Sequence, residues 1–174
     1  MTASHCHCLH REAPSHPEEN QTDTDHANVR FPPPLIHLIA VLAAVGLRRL
    51  TPLNLPVSWL LTGFGAGVML LSLLLAGSAF SQFARSNNPV PPNQPVNGLM
   101  TQGPFRFTRN PLYLALALLQ LGMGLMTGNG WILATLPPAL LTVRYYVIRR
   151  EEAYLTRRFG LAYQDYQSRV RRWF

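Results

Sequence analysis

Lysine is absent from this 174-residue chain, and its middle has no acidic residue. All 15 basic residues are arginine. Of the 8 acidic residues, Glu12, Glu18, Glu19, Asp23 and Asp25 lie near the start, and Glu151, Glu152 and Asp165 lie after position 150. A soluble surface carries charges of both signs along its length, so the middle of this chain has no such surface. Cysteine is scarce too. Cys6 and Cys8 are the only two, set in "HCHCLH" beside His5, His7 and His10. That spacing could hold a soft metal, but the polar run that follows, "EAPSHPEENQTDTDH", has the composition of a disordered tail. Residues 1–30 are therefore read as a polar tail, and no metal site is assigned. No secretory signal is evident, because the first apolar run begins beyond residue 30 and lacks a small-residue cleavage site. The net charge of +7 does not point to nucleic acid. The arginines punctuate apolar runs, as they do at membrane boundaries.

The chain does contain a series of uncharged runs. Residues 31–50 form the first apolar segment, closed by Arg48 and Arg49, and 57–84 form the second. Gly63, Gly65, Ala66 and Gly67 in the second run suit close helix packing. Their spacing is not that of a nucleotide-binding glycine loop, and no strand precedes them. Residues 85–109 are rich in proline, glycine and amides and read as a loop, long enough to suggest function. From Asn110 to Val143 there is again no charge. As one helix that run would extend about 50 Å at 1.5 Å per residue, beyond the ~30 Å hydrocarbon core. "GNG" at 128–130 is a turn signal, so the run divides into a helical hairpin, 111–127 and 131–150, with a kink at Pro137 and Pro138. Leu155, Phe159, Ala162, Tyr163 and Tyr166 recur at steps of three and four and predict an amphipathic C-terminal helix over 151–172, with Gly160 as a candidate interruption. The expected fold is all-α: an integral-membrane bundle of about four transmembrane helices in one domain, residues 31–174. The 85–109 loop and the segment after 148 hold ten of the arginines, which assigns that face to the cytoplasm. Arg48 and Arg49 fall on the opposite face.

One stretch, "GPFRFTRNPLYLALALL", joins charge directly to an apolar helix. Asn110 suits an N-cap and Pro111 the first helical position, so the Asn110 side chain is expected to accept from the backbone of Leu112 or Tyr113. A helix start offers free N–H groups and partial positive charge to an anion, and Arg106 and Arg109 add full charges. The hairpin returns Arg144, Arg149, Glu151 and Glu152 to the same face. Arg144 and Glu151 are seven residues apart, two helical turns, and are expected to share a face. These residues suit a ligand with an anionic end, hydroxyls for a carboxylate to accept, and a cation to rest on Tyr113 or Phe105. S-adenosylmethionine has all three features, although composition alone reaches only a polar, charge-bearing pocket.

"GPFRFTRNPLY", then an apolar hairpin, then "REEAYLTRRFGLAYQDYQSRV", closely resembles the isoprenylcysteine carboxyl methyltransferases and the related phospholipid methyltransferases, in particular their small bacterial members. The resemblance covers about the last 80 residues. It implies S-adenosylmethionine bound near the cytoplasmic face of a bacterial inner membrane, and a lipophilic or small methyl acceptor arriving from the bilayer. It places cofactor contacts on the Leu99–Met100 backbone, Phe105, the turn Asn110–Pro111–Tyr113 and Glu151, beside Arg109. Phe105 stands where many members have tyrosine. Asn110 stands where the carboxyl methyltransferases have histidine, as phospholipid methyltransferases often do.

Methyl transfer from a sulfonium releases a neutral thioether, so alignment and water exclusion carry much of the catalysis. Arg144 or Arg149 could hold an anionic acceptor. Glu152 could take a proton from an amine. Two rival readings are a non-catalytic membrane assembly subunit and an NADPH-dependent membrane reductase of the sterol type, for which the chain is short.

Overall fold

The computed structural model describes residues 31–56, 58–86, 88, 90 and 96–173. The Cys6–Cys8 cluster and the polar tail lie outside the described residues. Among the described residues every regular element is helical: α1 (Pro33–Leu50), α2 (Trp59–Ser86), a short 3₁₀ turn (Gly103–Arg106), α3 (Pro111–Thr127), α4 (Gly130–Ala134), α5 (Leu136–Thr142), a π-helical stretch (Val143–Ile148), α6 (Arg149–Phe159) and α7 (Leu161–Arg169). The elements from α4 to α6 run on as one 30-residue rod, Gly130–Phe159. That rod, α1 and α2 are long and apolar enough to cross a membrane. The apolar α3 is shorter, at 17 residues.

Side-chain size explains the tightest helix contact. α2 and α3 pack against each other more extensively than any other pair. At their crossing a Cβ on Gly65 would lie 2.9 Å from the Gly122 carbonyl oxygen, and one on Gly122 would lie 2.8 Å from that of Gly65. Small residues at a membrane-helix interface allow this approach. Gly63 and Gly67 have no neighbour within reach of an added Cβ, so only the middle glycine of the three packs against α3. Ser72 reinforces the contact by donating to the Ala115 carbonyl at 2.7 Å.

The hairpin turn after α3 follows from Gly128, whose φ of 59° is left-handed. The N–H of Asn129 reaches the Gly124 carbonyl at 3.1 Å and that of Gly128 reaches Leu125, the Schellman arrangement that satisfies helix-end carbonyls. Asn129 then caps α4, accepting from the Trp131 N–H at 3.1 Å. The α1–α2 connection docks here through Leu55 N–H to Gly128 O and Gly130 N–H to Leu53 O. Arg48 donates to Asn54 Oδ1 at 3.1 Å and to the Thr127 carbonyl at 3.3 Å, which gives an arginine at this end of the bundle a structural task.

Between the helices sits a buried polar clip. His37 Nδ1 lies 2.7 Å from Gln120 Oε1, and Gln120 Nε2 donates to the Ile132 carbonyl and to Thr135. The carbonyl only accepts, so the Gln120 amide nitrogen must face it and its oxygen must face His37. Nδ1 therefore carries the ring proton.

The break at Gly160, φ 53°, divides the C-terminal segment into α6 and α7. The buried face of that segment is carried by Tyr154, Tyr163 and Tyr166.

Candidate functional site

At the polar end of the bundle is a cavity of about 640 Å³, within the range of small-molecule sites. One wall is the start of α3. Asn110 precedes Pro111 but makes no side-chain cap. The expected bond to the helix is replaced: Asn110 Nδ2 donates to the Arg172 carbonyl at 3.1 Å. Thr108 Oγ1 donates to the same carbonyl at 3.0 Å, and the Arg109 N–H donates to the Arg171 carbonyl at 3.1 Å. The segment after α7 is thus pinned across the start of α3, and this is what turns the asparagine away from its own helix.

A second wall is α6. The Tyr113 hydroxyl donates to Glu151 Oε1. Beside it, Glu152 Oε1 lies 3.1 Å from Arg109 Nη1. Arg172 forks onto the same carboxylate, Nε to Oε1 at 2.9 Å and Nη2 to Oε2 at 2.6 Å. Hydrogen bonding to Glu152 holds the Arg172 pKa above its ordinary value. Arg109 Nε is buried and has no hydrogen-bond partner among the described residues. Burial raises the phenol pKa of Tyr163 and of Tyr166, so both remain neutral, and Tyr166 donates to the Phe105 carbonyl at 2.7 Å.

A third wall is the loop carrying Leu99 and Met100. Buried Asn88 holds it, accepting from the N–H groups of Asn97 and Gly98 and donating to the Gly98 carbonyl. From the other side, the Val96 N–H donates to the Tyr154 hydroxyl. Phe105 is fixed edge-on against Phe83, ring centroids 5.8 Å apart. Away from these polar groups the cavity runs between Leu73 and Ala76 of α2 and Leu116 and Leu119 of α3. Leu73 and Phe80 on this side are more than half or half exposed, at 59% and 50%, so the cavity reaches the lipid-facing surface.

Leu99, Met100, Phe105, Arg109, Asn110, Pro111, Tyr113, Glu151 and Glu152 all line this cavity. Arg144 and Arg149 are exposed and stand over the Tyr145 ring, at 5.7 and 5.5 Å from its centroid. The π-helical turn Val143–Ile148 is the physical reason. Its wider i→i+5 turns cancel the heptad register that would have put Arg144 on the side of Glu151. Sequence reasoning assigns Arg172 to the membrane surface and passes over Thr108 and Asn88. Thr108 acts through the Arg172 carbonyl 64 residues away, Arg172 through Glu152 20 residues away, and Asn88 looked like one amide among many in a proline-rich loop.

An all-helical membrane protein whose cavity joins a polar cluster to lipid-facing helix surfaces is the class that this fold and site define. The phospholipid methyltransferase family matches residues 60–162, and the chain belongs to that family. It is a membrane methyltransferase that uses S-adenosylmethionine to methylate a small or lipophilic acceptor. An uncharacterized protein of Haemophilus influenzae is 37% identical over 62 residues, which span 36% of this chain and 98% of that protein.

Proposed function

We propose that the cavity holds S-adenosylmethionine at its polar end and receives the acceptor from the bilayer between α2 and α3. The observation that carries this reading is the continuity of one cavity from the Tyr113–Glu151 pair and Arg109 to the exposed apolar surface at Leu73 and Phe80. The residues present fit the methyl donor. Glu151 Oε1 is engaged by Tyr113, which leaves its second oxygen to accept from a ribose hydroxyl. Arg109 lines the cavity and brings a positive charge to the amino-acid carboxylate, and the α3 start adds its partial positive charge. Phe105 and Tyr113 line the cavity and supply aromatic rings for a sulfonium. When bound, the methyl donor supplies an activated methyl group, and its sulfur takes back the electron pair of the broken bond as a neutral thioether.

The protein's part is orientation and exclusion of water. Glu152 has both oxygens taken by arginines, so we assign it to holding Arg109 and not to proton removal. Arg144 and Arg149 are assigned to the membrane surface and not to the acceptor. An acceptor with a neutral amine or an anionic oxygen needs no base from the chain beyond solvent at the cavity mouth.

We place the site on the cytoplasmic side, because the arginine-rich segments gather at that end of the bundle, with α3 as a fourth, short span and α6–α7 on the membrane surface. The structural task of Arg48 accounts for an arginine at the other end. Calorimetry of purified protein in detergent micelles tests the site: Glu151→Gln is expected to weaken S-adenosylmethionine binding about tenfold, equivalent to ~1.4 kcal/mol. Unchanged affinity would remove the pocket from consideration. Radioactive methyl transfer to a membrane lipid extract, followed by product identification, reads the acceptor.

A further inference from the structure

Arg172 lies after the last helix, yet its contacts run to the centre of the site. Its guanidinium grips both oxygens of Glu152, and Glu152 in turn binds Arg109 Nη1. The side chains of Arg109 and Glu152 are only 12% and 15% exposed, so this cluster is largely shielded from screening by solvent. Two guanidiniums and one carboxylate leave one net positive charge. Without Arg172 the Arg109–Glu152 pair would be neutral, and the carboxylate would be free to rotate and draw Arg109 with it. Arg109 lines the cavity, with Nη1 committed to Glu152 and Nε enclosed by protein without an acceptor among the described residues.

The backbone of the same segment is fastened independently. The carbonyls of Arg171 and Arg172 accept from Arg109 N–H, Thr108 and Asn110, and Trp173 packs beside the buried Val143–Val147–Ile148 cluster. Removing the Arg172 side chain therefore leaves the strap in place and removes only the fork and its charge.

We propose that Arg172 is a positioning residue that sets Arg109 and the local charge for the carboxylate of the methyl donor, so that this enzyme distinguishes ligands by that carboxylate through its C-terminal arginine. The inference rests on the cofactor reading above. A residue that merely stabilises the fold would affect all ligands of the cavity alike, whereas Arg172 acts on one end of one ligand. Charge-assisted hydrogen bonds of this kind are stronger and more directional than neutral ones, and lysine cannot reproduce the two-pronged grip.

The test is calorimetry on the full chain in detergent micelles with two ligands, S-adenosylmethionine and its decarboxylated form, which keeps the sulfonium and nucleoside. Wild-type protein is expected to prefer the carboxylated ligand by about tenfold or more, as expected for a charge-assisted contact. Arg172→Gln is expected to lose most of that preference by weakening S-adenosylmethionine binding while holding the decarboxylated ligand within about twofold. Arg172→Lys should recover part of it. Equal weakening of both ligands, or no change in either, overturns the proposal. Failure of wild-type protein to bind either ligand overturns the cofactor reading itself, a separate result. Should Arg172→Gln not fold, as judged by its melting curve, the Lys variant carries the same comparison.

Discussion

The hydroxyl of Tyr113, in the first turn of α3, donates to Glu151 in the first turn of α6. The two residues are 38 positions apart in the chain. The bond ties the start of one apolar helix to the exit of the next, and it orients a carboxylate inside the cavity. Tyr113→Phe keeps the ring and removes the donor. The variant should weaken S-adenosylmethionine binding by about three- to tenfold, in line with ~1 kcal/mol for a hydrogen bond, with little loss of thermal stability. A double-mutant cycle with Glu151→Gln measures the coupling, which should exceed ~0.5 kcal/mol for residues in direct contact.

Gln120→Leu removes the centre of the buried clip and strands His37 Nδ1, while the Ile132 carbonyl keeps only the Thr135 hydroxyl. Leaving buried polar groups unpaired costs ~1–3 kcal/mol each. A melt in detergent should shift down by several degrees. Ligand affinity of the folded protein should hold, because neither His37 nor Gln120 lines the cavity.

Two glycines two residues apart on α2 should behave in opposite ways. Gly65→Val forces new atoms into the backbone of α3, where even a Cβ would stand 2.8 Å from Met126 N. Overpacking of this kind costs ~1–3 kcal/mol or more. Gly67→Ala meets open space and should be neutral or stabilising by up to ~1 kcal/mol through helix propensity. Melting curves of the two variants, side by side, check this.

Asn88→Ala releases the loop that carries Leu99 and Met100, because the side chain supplies its bonds to Asn97 and Gly98. Limited proteolysis should then cut between residues 96 and 103 at least about fivefold faster, as expected when ~1 kcal/mol of local stability is lost. Bound S-adenosylmethionine should slow that cleavage.

Much of the helical layout could be read from composition. The starts and stops written in local chemistry were visible: Asn110–Pro111 before α3, Gly128–Gly130 after it, Gly160 between α6 and α7. The features hidden from sequence depend on long-range geometry. Val143–Ile148 is an ordinary apolar-aromatic string that any helix could carry, and nothing in it announces a wider turn. Gly63, Gly65 and Gly67 look alike until α3 is placed beside one of them. Asn110 is a strong cap by residue type, but the carbonyl of Arg172 competes for it from 62 positions away. Glu152 reads as a base in the sequence, because the two arginines on its oxygens come from positions 43 and 20 residues away.

The wide turn between α5 and α6 leaves the long rod with two angular phases. Upstream, Leu136–Thr142 keeps the phase that suits the α1 contact. Downstream, Glu151 and Glu152 look inward. An unbroken helix offers a single phase at about 100° per residue, so turning the acids inward would also have rolled the membrane half. With the slack taken up over Val143–Ile148, each half can drift in sequence to suit its own surroundings without dragging the other. Deleting one residue from that stretch is therefore a more drastic change than any single substitution within it.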